Sequence, residues 1–167
     1  MSVRFDSRYI YNSVADMVQG FLDAYGWTGA TPNFGTTAVT VERRAPDPSN
    51  LQSIVGNVAF ISFGREGDHD AIELGGGMLR IEYVFFCDVI GVDESIGEVI
   101  SSDLKDRFTG LLGGTRYLRP VDPGTGLELS GYLGEFAEVM RNQPSTASRN
   151  WFSVSGVCVM DFPGEES

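Results

Sequence analysis

Residues 53–90 read SIVGNVAFISF-GREGDHDAIELGGGM-LRIEYVFFCDVI, and this stretch decides the fold. In its last third, Leu79, Ile81, Tyr83, Phe85, Cys87 and Val89 fall on alternate positions, the period of a strand with one face turned to a core. In its first third, Val55, Ala59, Ile61 and Phe63 share one face while Ile54, Val58 and Phe60 share the other, so this strand is covered on both sides. Two such runs back to back predict a long antiparallel hairpin. The residues between them, Gly64 to Met78, carry Glu66, Asp68, Asp70 and Glu73 and the run Gly75-Gly76-Gly77, too polar and too rich in glycine to pack. A connection of that length is longer than hairpins ordinarily use and points to a functional segment.

Upstream of the hairpin, Ile10, Val14, Met17, Phe21 and Tyr25 recur every three or four residues and predict a helix over Tyr9 to Tyr25, capped by Asp6 or Ser7 and ended by Gly26. Thr36 to Arg43 alternates as a short strand, and Ala45 to Asn50 breaks it. Downstream, Asp93 or Ser95 opens a second helix that runs through Leu112. Its stripe is Ile96, Val99, Ile100, Leu104, Phe108 and Leu111, and Gly113 and Gly114 stop it.

Thr115 to Thr146, with Pro120, Pro123 and Pro144, leaves room for short strands around Tyr117–Arg119 and Leu127–Tyr132 and for a short helix over Leu133 to Met140. Asn150 to Phe162 is a final strand, with Phe152, Val154, Cys158, Met160 and Phe162 on one face and Ser153 and Ser155 on the other. Pro163 to Ser167 is a solvated tail. This order predicts an α+β fold, a mainly antiparallel β-sheet with a long β-hairpin and two main helices packed on one face. At 167 residues the chain fits a single domain, 1–167.

Twelve Lys+Arg against 23 Asp+Glu leave a net charge of −11, which repels nucleic-acid phosphates and disfavours specific DNA or RNA binding. Met1 to Asp6 carries no apolar stretch of signal-peptide length and nowhere do enough apolar residues run together to span a bilayer, so neither secretion nor membrane insertion is expected. The two cysteines, Cys87 and Cys158, sit in apolar strand runs and supply neither a disulfide framework nor a CxxC metal site.

Chemistry has few places to sit. Glu66, Asp68, His69, Asp70 and Glu73 could gather a divalent cation through oxygen, but EF-hand spacing is absent and a solvated acidic loop explains them better. His69 is the single histidine, so HExxH and paired-histidine zinc sites are impossible. Gly75-Gly76-Gly77 lacks the GK[ST] of a phosphate-binding loop and reads as a hinge or bulge at the base of the hairpin. Lys105, the sole lysine, lies in Asp103-Leu104-Lys105-Asp106-Arg107, a solvated helix face with local ion pairs. The expectation is therefore no enzyme, no cofactor and no metal. Tyr83, Phe85, Phe86, Trp151 and Phe152 are most simply core, and Trp27 closes the first helix. Trp151 is also a candidate subunit anchor, because its face of the last strand is otherwise small and polar and interfaces are enriched in aromatics.

With Tyr9–Tyr25 as first helix, Ser53–Phe63 and Leu79–Ile90 as long hairpin, Ser95–Leu112 as packed helix and Asn150–Phe162 as closing strand, the chain resembles the tail terminator proteins of long-tailed (siphovirus-type) bacteriophages. The stretch Thr115 to Thr146 departs from that pattern. The resemblance implies a structural virion protein in the neck region of the tail, assembled in the host cytoplasm. It would form a ring of copies of itself, a hexamer, between the tail tube protein and the head-completion protein, with DNA passing through the lumen without specific binding. Glu66, Asp68, Asp70 and Glu73 would then face the lumen or a partner, and a negative lining would let DNA slide. Two rival readings stand beside it. One is another head-to-tail joining or tail-tube protein; the other, ranked below it, is a small metal- or ligand-dependent enzyme built on the loop around His69.

Overall fold

The computed structural model describes residues 7–29, 38–64, 71–75, 78–91, 94–129, 131–143 and 150–163. Seven strands form one sheet: β1 (Val39–Glu42), β2 (Asn57–Phe63), β3 (Ala71–Gly75), β4 (Met78–Gly91), β5 (Tyr117–Leu118), β6 (Gly134–Asn142) and β7 (Asn150–Pro163). Their order is β1-β2-β4-β7-β6-β5, with β3 beside β4. Every pairing is antiparallel except β1 with β2, so the sheet is mixed and mainly antiparallel. Helices α1 (Ser7–Ala24) and α2 (Glu94–Phe108) supply buried side chains to one core with the same sheet face, as the α+β pattern predicts.

The hairpin forms as expected, with Phe63 opposite Phe85 and Val58 opposite Ile90. Its connection is not the single loop expected, because β3 pairs with the first part of β4, Ala71 opposite Ile81 and Glu73 opposite Leu79. β2 and β3 therefore occupy the same side of β4 as one interrupted strand. The register shifts between Glu73 and Gly75, which puts a bulge at Leu74, toward the tip of the hairpin rather than its base; Gly76 and Gly77 lie outside the described residues. β2 also starts later than its sequence pattern suggested. A 3-10 helix, Pro48–Ser53, precedes it, capped by the Asp47 carboxylate accepting from Ser49 N–H at 3.0 Å, and Gly56 turns the chain at φ 71. Val55 is left 90% exposed.

Tyr83, Phe85, Cys87 and Val89 meet Ala59 and Ile61 of β2 and Val154, Cys158 and Met160 of β7 on the inner face. The helix α1 lays Ile10, Val14, Val18 and Leu22 on it, with Met17 and Phe21 flanking and Tyr25 exposed. From α2 come Ile96, Ile100, Leu104 and Phe108, while Val99 points outward. Phe108 sits among Phe21, Phe85 and Phe136, with ring centroids 6.0, 4.9 and 4.9 Å away. Both helices end in the same way. Trp27 N–H reaches Leu22 O and Gly26 N–H reaches Asp23 O; Leu111 N–H reaches Asp106 O and Gly110 N–H reaches Arg107 O. The left-handed Gly110, at φ 90, thus ends α2 at Phe108, ahead of the expected Gly113, and leaves Leu111 and Leu112 exposed.

The expected helix over Leu133 to Met140 is strand β6. Glu, Ala and Met favour a helix there, but pairing with β7 and burial of Phe136 against Phe85 and Phe108 outweigh that preference. β6 bulges between Ala137 and Met140, where Glu138 takes φ 52. The expected strand over Leu127–Tyr132 reduces to one bridge, Val121 with Glu128.

Candidate functional site

The face of the sheet opposite the helices carries the alternate positions of β2, β4, β6 and β7. At one end, Leu51 of the 3-10 helix covers Val58, Phe60 and Ile90, with Ile54 and Trp151 packed alongside and the Arg44 guanidinium 5.0 Å over the Phe60 ring. Trp151 stands opposite Ile90, half-buried, and its indole N–H donates to Asp88 Oδ1 at 2.8 Å. Asp88 is 7% exposed. Burial pushes its carboxyl above the ordinary carboxylate range, and the hydrogen bonds from Trp151 and Ser153 offset part of that rise. The candidate anchor Trp151 shares its strand face with Ser153 and Ser155, but that face is not otherwise small and polar as expected: Val157 and Val159 lie on it too, and Trp151 packs beside the Leu51 cluster and serves a buried acid that sequence reasoning missed.

Further along the same face, the rows change character. Ala137, Val157 and Val84 stand side by side across three strands, next to the row of Met140, Ser155 and Phe86. Phe86 is 36% and Met140 51% exposed, so Phe86 is not the core residue expected. In the next row Val159 is flanked by Glu82 on β4 and Glu135 on β6. Beyond it, Arg80 donates to both oxygens of Asp161, at 2.9 and 3.4 Å.

The acidic residues singled out from the sequence are less informative. Glu73 lies on β3, opposite Leu79, whereas Glu66, Asp68 and Asp70, together with His69, fall outside the described residues. Among the described residues there is no group of three His, Cys, Asp or Glu side chains placed to hold a metal ion. Cys87 and Cys158 are both buried, and burial pushes the Cys158 thiol up to about 12, which keeps it protonated and unreactive.

The helix face expected to be solvated around Lys105 holds a buried ion pair. Arg107 donates to Asp103 at 3.1 Å and lies 4.3 Å over the Tyr25 ring and 5.0 Å over that of Phe21. Arg107 therefore joins α2 to α1, and Lys105 alone stays exposed. Between α1 and the β5 edge runs an open groove of about 450 Å³ lined by Ser13, Asp16, Met17, Tyr117, Arg119 and Glu128. The Ser13 hydroxyl at its base accepts from Val121 N–H at 3.0 Å. Among the described residues no helix is long and apolar enough to cross a membrane. No protein-family model matches the chain, and no curated protein matches it in sequence.

Proposed function

We propose that the chain is a structural virion protein of the tail-terminator kind, a ring-forming subunit that caps the tail tube and joins it to the head-completion complex, with DNA passing through. The observation that carries this reading is the sheet order. The sheet ends on two different strands, β1 and β5, and a contact between the β1 edge of one copy and the β5 edge of the next is head-to-tail, the type that closes into rings. The net charge of −11 suits a channel through which DNA slides without sticking. In this reading β3 with Glu73, and Glu66, Asp68 and Asp70 next to it in sequence, lie toward the lumen or the tube.

Negative-stain electron microscopy and light scattering of the purified protein, with and without Mg²⁺, test the proposal. The expected result is closed rings with a mass near six times 18.2 kDa, about 109 kDa. Filaments or long tubes would assign the chain to the tail tube instead. A monomer at every concentration and salt level would count against any ring.

A further inference from the structure

The solvated face of an antiparallel sheet ordinarily alternates to polar residues. Here the middle of the outer face does not, since Val84, Phe86, Ala137, Met140, Val157 and Val159 lie together across β4, β7 and β6. The Leu51 cluster covers only the end around Phe60 and Ile90. Charge surrounds the other end. Asp161 is taken by Arg80, and Arg116 reaches Glu135 only at 3.8 Å with both side chains more than half exposed. Glu82, which flanks Val159 directly, forms no ion pair among the described residues. Three carboxylates, Glu82, Glu135 and Asp161, thus border the apolar rows, with two guanidiniums, Arg80 and Arg116, among them.

We propose that this outer face is a docking surface for a polypeptide segment with apolar side chains along its middle and Lys or Arg at its flanks. The apolar rows would supply the buried centre of the interface, and Glu82 and Glu135 would meet the partner's cations at its rim. Charge excludes the other occupants. Lipid headgroups and nucleic acid bring phosphates toward carboxylates. A second copy docked through the same face with its twofold axis along the strands would bring the Glu82, Glu135 and Asp161 end of one chain against the same end of the other. The inference does not depend on the ring, which uses the sheet edges.

The test uses two fluorescein-labelled peptides of equal length and equal valine content, one alternating Val with Lys and the other Val with Glu, followed by fluorescence anisotropy. The Lys peptide is expected to bind about tenfold or more tighter than the Glu peptide. It should also shift the NMR methyl signals of Val84, Val157 and Val159. The double variant Glu82→Lys/Glu135→Lys should invert the preference, and Met140→Lys, at an exposed position, should weaken the Lys peptide while leaving the melting temperature in place. Equal binding of the two peptides would overturn the proposal. So would a preference for the Lys peptide that survives the double charge reversal, which would locate binding elsewhere on the acidic surface. Conversion of a wild-type oligomer to monomer by Met140→Lys, with peptide binding unchanged, would show that a second copy covers the face and would equally overturn it.

Discussion

Asp88 shows how one buried side chain can make stability depend on pH. Its proton is held more tightly in the folded chain than in the unfolded one, because burial disfavours the charged form. A carboxyl of that kind favours the folded state most while protonated. The contribution is present at and below the unfolded value of 3.8 and is lost as pH rises through the higher folded value. Asp88→Asn keeps an oxygen for the Trp151 N–H and removes the titration, so urea melts across that window should show a flatter pH dependence, with the variant at least as stable as wild type at pH 7. Trp151→Phe acts in the opposite sense. It leaves Asp88 without its indole donor, and it should lower stability at pH 7 by about 1–3 kcal/mol.

At the scale of elements, the close approach of α2 to β7 decides the sign of a glycine substitution. A Cβ built on Gly97 would stand 2.8 Å from the Phe152 ring, which is itself buried. In the middle of α1, a Cβ on Gly20 would meet nothing within 4 Å. Gly→Ala in a helix ordinarily stabilises by about 1 kcal/mol. Gly20→Ala should therefore raise the melting temperature. At Gly97 an overpacking cost of about 1–3 kcal/mol outweighs the same gain, and Gly97→Ala should lower it.

The same elements show what could be read from sequence. β4 and β7 each keep one face buried along their length, and their alternation of Tyr83, Phe85, Cys87 and of Phe152, Val154 is unambiguous, although Asp88 and Ile90 are buried on the other face of β4 as well. α1 and α2 follow for the same reason, each with a single buried stripe. β6 was not legible, because Glu135, Ala137, Glu138 and Met140 face outward or lie at a bulge, leaving Phe136 as its one fully buried large apolar side chain. β3 was hidden among glycines and acids, since its place is fixed by β4 rather than by its own composition. Of the candidate site, the outward position of Trp151 followed from its serine neighbours, whereas the burial of Asp88 depends on which residues the sheet brings beside it.

For the whole molecule, the charge of −11 opposes any assembly of identical copies. Screening over about 10 Å at 0.1 M salt weakens that repulsion more than it weakens buried apolar contacts. If the copies associate through their sheet edges, raising NaCl from about 0.05 to about 0.5 M should shift light-scattering mass upward, and lowering it should release single chains. Loss of the assembly on adding salt would instead mean that ion pairs hold the copies together.

The interrupted strand has a consequence for engineering. Phe63 is held opposite Phe85 and Ala71 opposite Ile81, so both ends of the intervening chain are anchored by a third strand that does not include it. The span between the anchors is set by four residues of β4, about 13 Å, whatever sequence bridges it. A short epitope spliced in after Gly64 would be held by the sheet at both ends without shifting its register, giving a visible handle that stands beside Glu82 and Val84.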